Sequence, residues 1–338
     1  MTTLSRLEDR PALLPWMDAH GRAHTYLRVS LTDRCNFRCV YCMPPEGIPW
    51  REREEILTFE EIERAVRLFV RGGVRKVRLT GGEPTVRRGL TELIGRLSAI
   101  EGVEQLWMTT NGTTLRHHAA AYRKAGLTGL NVSLDSLRRD RFIELTRRDG
   151  LETVLEGIEA ALAAGFAPLK LNVVVMAGVN EDELQDFVRF VADRPIQARF
   201  IEFMPFQGNG WSKGGLYPMA KMLEDLAPLE VRPVGQEPTA VGKDYEALGG
   251  RSKLAFVASM TRSFCSGCNR IRLTADGQVK SCLFLKADGN LRDAMRSGAG
   301  DDELASVVRH SLAGKWAAHP PMEDLLTRND LSMVEIGG

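Results

Sequence analysis

The sequence predicts an α/β protein whose strands form a parallel sheet. Two observations support this fold class: β-rich runs alternate with amphipathic helical stretches, and the alternation repeats six times in order. Parallel neighbours need a long crossover connection, which the intervening helical stretches provide. Such a sheet is either open or closed into a barrel. The predicted strands lie at residues 25–32, 74–80, 103–110, 129–135, 168–176 and 196–204.

The connection between the first and second predicted strands shows clear helix boundaries. Thr58 and Glu61 have the spacing of a capping box, and Gly72 with Gly73 provides a stop. We therefore predict a helix over residues 58–73. Two further helices are predicted from their apolar periodicity, at residues 151–165 and 181–193.

The alternation ends after about residue 225. Residues 227–253 are rich in Gly and Pro, which predicts a connector or irregular structure. Short strands near 254–260, 270–275 and 278–284 and a helix near 301–315 are expected to follow. The predicted division of the chain is a lead-in at 1–24, an α/β region at 25–225 and a C-terminal region at 226–338.

Composition restricts the class of protein and its location. The 338 residues include 45 basic and 44 acidic side chains, so a net charge of +1 favours no nucleic-acid partner. No apolar run approaches the ~18 residues of a membrane helix, and no secretory signal is visible in the first thirty residues or so. We therefore expect a cytoplasmic protein with no membrane partner, whose six cysteines are reduced and available as metal ligands.

Several predicted strands carry polar side chains on one face, although strands of a parallel sheet are usually apolar on both. Period two places each set on a common side of its strand. Buried cations need partners or a wet cavity, so we favour a charged interior that holds an anion; a solvent-exposed face of an open sheet is the alternative. The sets are Arg28, Ser30 and Thr32; Arg78 and Thr80; Asn131, Ser133 and Asp135; and Lys170 and Asn172.

Three cysteines, Cys35, Cys39 and Cys42, follow the first predicted strand within eight residues. Closed structural zinc and iron–sulfur sites use four protein ligands, whereas a site that binds a small molecule keeps one position open. Three thiols on one loop can hold three irons of a [4Fe–4S] cluster and leave the fourth free. A zinc site completed by a distant His is the alternative.

A second group comprises Cys265, Cys268 and Cys282. From its spacing alone, zinc and iron–sulfur are about equally favoured, with His310 or His319 as candidates for a fourth ligand. Arg270 and Arg272 follow at strand spacing, so both guanidinium groups can point to one side and bind phosphate; a solvated strand face is the alternative.

The pattern C-x3-C-x2-C, with Tyr41 before the last cysteine and "GGEP" at residues 81–84, resembles the radical S-adenosylmethionine enzymes. This resemblance implies an incomplete (β/α)6 barrel with a C-terminal cluster-binding extension. It also implies a [4Fe–4S] cluster on Cys35, Cys39 and Cys42 whose open iron binds S-adenosylmethionine. The glycines give the backbone room for close approach.

Two cysteine triplets, together with "CNRIRLTADG" at 268–277 and the terminal "SMVEIGG", make the sequence similar to the GTP 3′,8-cyclase family of molybdenum cofactor biosynthesis from about Thr25 to Gly338. The resemblance implies a second [4Fe–4S] cluster, bound by Cys265, Cys268 and Cys282, that holds guanine. S-adenosylmethionine would contact Tyr41, Gly82, Ser133 and Met204. GTP would contact Arg28, Arg78, Thr109, Lys170, Arg270, Ile271, Arg272 and Arg199, with Arg270 and Arg272 as catalytic residues.

The implied reaction converts GTP to (8S)-3′,8-cyclo-7,8-dihydroguanosine 5′-triphosphate, by removal of H3′ by a 5′-deoxyadenosyl radical and formation of a C3′–C8 bond. Implied partners are a one-electron reductant such as flavodoxin or ferredoxin, the downstream cyclic pyranopterin monophosphate synthase, and a second copy in a homodimer. The C-terminal Gly-Gly tail is expected to reach the active site.

Three other functions are consistent with parts of the sequence. A radical peptide-modifying enzyme with an auxiliary cluster is the first alternative, although such enzymes usually carry more than three C-terminal cysteines. A two-cluster electron carrier would not need the large α/β region or the buried cations. A nucleic-acid-binding metalloprotein is disfavoured by the near-neutral charge.

Overall fold

The structure of the protein is a computed structural model that describes residues 13–235, 239–322, 324–325 and 332–337. The beginning of the predicted lead-in and the terminal Gly338 lie outside the described residues.

All six predicted strands are present and pair in chain order. Every neighbouring pair among them is parallel, as the strand–helix alternation predicts. Their bounds are β1 Tyr26–Ser30, β2 Lys76–Thr80, β3 Gln105–Thr110, β4 Gly129–Ser133, β5 Leu169–Val175 and β6 Ile196–Glu202.

Helices connect these strands. The first begins where the capping box predicts: the Thr58 side chain accepts from the Glu61 backbone N–H at 3.2 Å, and the Glu61 carboxylate accepts from the Thr58 N–H at 2.8 Å. The helices of this region are α1 Phe59–Arg71, α2 Leu90–Ser98, α3 Leu115–Lys124, α4 Arg139–Thr146, α5 Leu151–Ala163, α6 Leu184–Phe190 and α7 Met219–Asp225.

The C-terminal region extends the same sheet at both edges. Its strands are β7 Arg232–Pro233, β8 Lys243–Ala247, β9 Ser252–Val257, β10 Arg270–Leu273, β11 Gln278–Lys280 and β12 Gly289–Asn290, and its helices are α8 Leu291–Arg296, α9 Asp301–Ala313 and α10 Met333–Ile336. The twelve strands form one open sheet in the order β12-β11-β10-β1-β2-β3-β4-β5-β6-β9-β8-β7.

The prediction of irregular structure over 227–253 is wrong for part of that range. Residues 243–247 form β8, which pairs with β9 in an antiparallel arrangement. The local composition, with many polar residues near glycines, gives little β signal. The ladder to β9 and the packing of Tyr245 against Phe256, with ring centroids 5.1 Å apart, supply the stabilisation instead.

Two strands of the extension lie parallel to the predicted set: β10 pairs with β1, and β9 pairs with β6. They lengthen the parallel part of the sheet without closing it. One face of the sheet packs against the helices through side chains such as Leu27, Val29 and Val77, each fully buried. The other face carries the polar side chains that alternate with them.

Candidate active site

Strand β1 has one cysteine group near each of its two ends. Arg28 lies level with Arg78 of β2 on one side and with Arg272 of β10 on the other. Cys35, Cys39 and Cys42 follow the carboxyl end of β1. Cys265 and Cys268 precede β10, which is parallel to β1, so they lie towards the opposite end.

Cys282 joins this second group because β11 runs antiparallel to β10 and ends just before it. The row of arginines therefore lies between the two cysteine groups. A five-residue strand such as β1 spans roughly 15 Å at about 3.3 Å per residue, which is room for a nucleoside triphosphate.

The loop that carries the first triplet is held by its own backbone. The N–H groups of Cys42 and Met43 both donate to the Cys39 carbonyl, at 3.0 and 3.2 Å, and the Phe37 N–H donates to Cys35 Sγ at 3.4 Å. All six cysteines are free thiols and partly buried. The expected reduced state is thus compatible with the fold.

Burial makes the first three thiols reluctant to ionise. It raises the pKa of Cys35 to about 11, with help from the Glu83 carboxylate, and raises the pKa of Cys39 and Cys42 further above their ordinary value. Neighbouring thiols also raise the pKa of Cys39 and Cys42, as expected for three thiols on one short loop. A metal cluster supplies the positive charge that such a thiolate group needs, so these residues fit a cluster.

No group of three or more His, Cys, Asp or Glu side chains in the described residues is arranged to hold a single metal ion. A cubane cluster places a different iron at each thiolate, so its ligands do not have to meet at one point.

Tyr41, between the last two cysteines of the loop, is fixed by a buried carboxylate. Its hydroxyl donates to Asp135 at 2.7 Å, and Asp135 also accepts from the Val174 N–H at 2.8 Å. Burial raises the pKa of Asp135 to about 6. The Asn209 side chain donates to the carbonyls of Tyr41 and Met204, at 3.2 and 2.9 Å, so it connects two residues predicted to contact S-adenosylmethionine.

The glycines after β2 have a packing role. A Cβ on Gly82 would lie 2.4 Å from the Arg34 carbonyl oxygen, and one on Gly81 would lie 2.6 Å from that of Thr32. The turn therefore packs against the backbone of the first cysteine loop, which only glycine permits. The resemblance implied that glycine lets the backbone approach the ligand; the structure adds that glycine is also needed for packing against the cysteine loop.

Glu83 fastens this turn to the end of β3. Its buried carboxylate accepts from Thr110 Oγ1 and the Asn111 N–H, both at 2.7 Å. Burial raises its pKa, and the same hydrogen bonds oppose the shift.

The predicted cations do meet on one face of the sheet. Burial and neighbouring cations lower the pKa of Arg28 and Arg199 to about 10 and that of Lys170 to about 8. Within the described part of the chain, no carboxylate forms an ion pair with Arg78, Lys170 or Arg199. The face therefore carries excess positive charge and favours an anionic ligand.

Hydroxyl and amide groups orient these cations. Arg78 donates from Nε to the Tyr26 hydroxyl and from Nη1 to Thr109 Oγ1, the latter at 3.0 Å. Arg199 donates to Asn172 Oδ1 at 3.3 Å. Thr109 thus lies where predicted, beside Arg78.

The second triplet lies among basic groups. Lys315 Nζ donates to Cys268 Sγ at 3.3 Å and lies 2.7 Å from His24 Nε2. Although burial opposes the shift, the Arg270 guanidinium and the Lys315 ammonium lower the pKa of Cys268 to about 7. This thiol is thus prepared to act as a thiolate ligand.

The described end of the lead-in packs onto the second triplet, which the sequence did not indicate. Arg22 donates to the carbonyl oxygens of Cys265, Trp316 and Ala317 at 2.7, 2.6 and 2.8 Å, and Asp18 holds its other side. The three carbonyl partners are more than two hundred residues away in sequence, so no local pattern could reveal them.

The C-terminal tail reaches β1. Ile336 is buried with Phe206 and Phe284, in a cluster that Met204 and Cys282 also contact. A Cβ on Gly337 would lie 2.5 Å from Ser30 Cβ, so the backbone of the tail lies against the end of β1. Gly338 lies outside the described residues.

The side chains of three further candidates are buried in the core, engaged with carbonyl oxygens or exposed. Ile271 is fully buried in the hydrophobic core, on the face opposite Arg270 and Arg272, so only its backbone is available to a ligand. Both ring nitrogens of His319 lie within hydrogen-bond distance of carbonyl oxygens, those of Pro320 and Ser259. His310 is exposed on α9.

Sequence reasoning missed Lys76, Tyr26 and Trp107, which join the cationic face. The signal was present for two of them: Lys76 precedes Arg78 by two residues and Tyr26 precedes Arg28 by two, so each shares the face of its neighbour.

In the described residues, no helix has the length and apolar character needed to cross a membrane.

Comparison with known proteins identifies first the class of enzyme and then the family. A family model described as the radical SAM superfamily matches residues 29–191, and one described as molybdenum cofactor synthesis C matches residues 196–321. Among solved structures, SuiB of Streptococcus suis bound to S-adenosylmethionine aligns with a TM-score of 0.58 at 14% identity, over 80% of this chain and 64% of that one. The enzyme anSMEcpe with bound AdoMet and a peptide gives 0.52 at 15% identity, over 86% and 84%. At these identities the likeness concerns the fold alone.

Sequence relatives specify the family. A protein of Arabidopsis thaliana named "GTP 3′,8-cyclase, mitochondrial" is 43% identical over 99% of this chain and 86% of its own. A protein of Rhodopirellula baltica named GTP 3′,8-cyclase is 44% identical over 95% and 92%. Human molybdenum cofactor biosynthesis protein 1 is 40% identical over 94% of this chain, which spans 50% of the human protein. The chain belongs to the GTP 3′,8-cyclase family, a family of radical S-adenosylmethionine enzymes that use a [4Fe–4S] cluster.

Proposed function

We propose that the chain converts GTP to (8S)-3′,8-cyclo-7,8-dihydroguanosine 5′-triphosphate, the first step of molybdenum cofactor biosynthesis. One observation carries the proposal: the level row Arg78, Arg28 and Arg272 lies between two cysteine triplets at opposite ends of the strands. A triphosphate is strongly anionic, and planar guanidinium groups bind its oxygens well.

Cys35, Cys39 and Cys42 are the residues that would hold the first cluster, with Tyr41, Gly82, Ser133 and Met204 as contacts of S-adenosylmethionine. When bound, this pair would supply a 5′-deoxyadenosyl radical that takes H3′ from GTP. Joining of C3′ to C8 would leave a radical on the guanine ring, and one electron from the reductant with one proton would complete the product. The chain contributes by keeping the loop rigid: Asp135 and Asn209 hold Tyr41 from two sides.

Cys265, Cys268 and Cys282 would hold a second [4Fe–4S] cluster with guanine at its open iron. Two contacts support this assignment: the Lys315 ammonium donates to Cys268 Sγ, and Arg22 fixes the Cys265 carbonyl. Positive charge at a thiol favours the thiolate that iron requires.

The cations bind and orient the triphosphate. Arg28, Arg78, Lys170 and Arg199 provide its charge partners, and Thr109 orients Arg78. Arg270 and Arg272 are proposed as catalytic residues, because they place fixed positive charge beside the second cysteine group, where the guanine ring would gain electrons. Binding to several cations at once would also hold the ribose in a fixed position for the radical reaction.

We also propose three partners that this activity would require or use. They are a one-electron reductant such as flavodoxin or ferredoxin, the cyclic pyranopterin monophosphate synthase that receives the product, and a second copy of the chain in a homodimer. The proposed location is the cytoplasm, and the proposed division is residues 25–225 for the radical region and 226–338 for the cluster- and GTP-binding region.

An anaerobic assay tests the proposal. The protein, reconstituted with iron and sulfide, is incubated with GTP, S-adenosylmethionine and dithionite. We expect about two four-iron clusters per chain and 5′-deoxyadenosine formation that depends on GTP. Zinc at both sites, or turnover of a peptide with no reaction of GTP, would contradict it.

A variant with Cys265, Cys268 and Cys282 changed to Ser separates the two sites. It should keep about half the iron and lose the cyclic product. Full iron content in this variant would refute the assignment of the second cluster.

A further inference from the structure

Trp107 stands at the centre of three cations on the polar face of the sheet. The Lys76 and Lys170 ammonium nitrogens lie 4.6 and 4.9 Å from its ring centroid, and the Arg78 guanidinium carbon lies 5.2 Å away. These distances are within the range of cation–π attraction, which is strongest for Trp.

The position of the ring is built into the neighbouring strand. Trp107 lies level with Gly129 of β4, and a Cβ on Gly129 would lie 2.6 Å from both Cδ2 and Cε2 of the ring. The ring therefore lies over a site where any side chain would displace it. Gly129 lies in strand β4, so no turn or helix end requires glycine at this position. Packing of the Trp107 ring is therefore the reason for glycine there.

The cations around the ring repel one another. Burial lowers the pKa of Lys170, and the cations Arg199, Lys76 and Arg78 lower it further. Among the described residues, no carboxylate pairs with Lys76, Arg78 or Lys170. The electron-rich face of Trp107 is therefore the group in direct contact with all three cations that offsets their repulsion before a ligand arrives, while the Asp244 carboxylate acts on Lys170 without forming an ion pair. Tyr26 assists from the other side, with Lys76 5.3 Å and Arg78 5.9 Å from its ring.

We infer that Trp107 is a specificity-determining positioning residue: its ring gathers Lys76, Arg78 and Lys170 into one anion site that selects a nucleotide by the length of its phosphate chain. The inference rests on the proposed function for the identity of that nucleotide, GTP. A longer phosphate chain contacts more of the gathered cations, so the preference for GTP over GMP depends on their spacing. Removal of the ring lets the cations separate towards water, and the preference falls.

Equilibrium binding to the reconstituted, unreduced protein measures this preference without turnover. We expect Trp107→Leu to lower the ratio of GTP to GMP affinity about tenfold, the effect of losing roughly one desolvated cation–aromatic contact. Trp107→Phe keeps an aromatic face and should keep most of the ratio. Gly129→Ala retains the indole but displaces it, so it should change the ratio in the same direction as Trp107→Leu.

Phe190→Leu is the matched control, because it removes a cation–aromatic contact on the outer helix α6, where Arg194 lies 4.5 Å from the Phe190 ring. It should leave the GTP to GMP ratio unchanged. General damage to the fold lowers the affinity for both nucleotides and leaves the ratio of GTP to GMP affinity unchanged. A fall in that ratio therefore indicates loss of selection between the nucleotides. Iron content and the thermal midpoint identify a variant that does not fold.

The outcomes distinguish failure of the inference about Trp107 from failure of the proposed function. If the unaltered protein prefers GTP and both Trp107→Leu and Gly129→Ala retain that preference, the inference about Trp107 is wrong and the proposed function stands. If the unaltered protein binds GTP no better than GMP, the proposed function itself fails.

Discussion

At the scale of single residues, the site is a concentration of positive charge that aromatic faces offset only in part, so it favours an anionic ligand. Alternating polar positions identified Arg28, Arg78 and Lys170 from sequence, because period two fixes which side chains share a face. The same rule would have identified Lys76. The orienting partners of these cations, such as Asn172 beside Arg199, depend on contacts between strands and carry no local signal.

Lys170 gives the site a pH dependence. Its pKa in the free protein, about 8, lies below the ordinary value of 10.5 because of burial and the surrounding cations. The unfolded chain therefore binds more protons between these values, so Lys170 makes stability rise with pH across that window. Binding has the opposite sign, since GTP prefers the protonated amine, and affinity should fall above pH 8 towards tenfold per pH unit.

The check is the GTP dissociation constant between about pH 7 and 9 for the unaltered protein and for Lys170→Met. The variant should bind more weakly at low pH and show a flatter profile. Identical profiles would exclude Lys170 as the titrating group.

Tyr41 makes a prediction about stability. Tyr41→Phe removes the 2.7 Å hydrogen bond to Asp135, a carboxyl that is 4% exposed. Leaving a buried acceptor with one fewer partner costs about 1–3 kcal/mol of unfolding free energy. Denaturant unfolding of the apo protein measures it.

Tyr217→Phe is the matched control for that change, because it removes a tyrosine–carboxylate contact to Asp225, which is partly exposed. Water can replace the lost partner there, so the cost should be below about 1 kcal/mol. Equal costs for the two variants would show that burial of Asp135 does not matter.

At the scale of elements, the decisive feature is the parallel pairing of β10 with β1. The sequence predicted a strand near 270–275, but its partner and direction depend on contacts between segments more than two hundred residues apart. The start of α1, in contrast, could be predicted from the sequence, because the Thr58 capping box involves only neighbouring residues. β8 was missed because pairing with β9, not composition, stabilises it.

The lead-in is predicted to matter for the second cysteine group. Arg22→Ala removes three hydrogen bonds to carbonyl oxygens, including that of Cys265, so the segment that carries Cys265 loses a contact that fixes its position. We expect the variant to lose iron from the second site while the first site stays loaded. Iron content and electron paramagnetic resonance of each reduced cluster measure this.

Arg64→Ala is the control, since Arg64 also fastens the extension, through the Ala299 carbonyl and Asp301, but away from the cysteines. It should lower thermal stability without selective loss of iron. Equal loss from both sites in Arg22→Ala would contradict a local role.

At the scale of the whole molecule, one open sheet gives the site its two ends. The first cysteine group lies beyond the carboxyl ends of the strands, as expected for this class of sheet. The second lies towards the amino ends, because β10 and the antiparallel β11 bring it there. The cationic face spans the distance between them, and the tail closes against Ser30.

An anaerobic crystal structure with GTP and S-adenosylmethionine tests this arrangement most directly. The account predicts a triphosphate bound by Arg28, Arg78 and Lys170, and two clusters that each have three cysteine ligands and one iron free of protein side chains. Clusters fully ligated by protein, or GTP bound away from the cationic face, would contradict it.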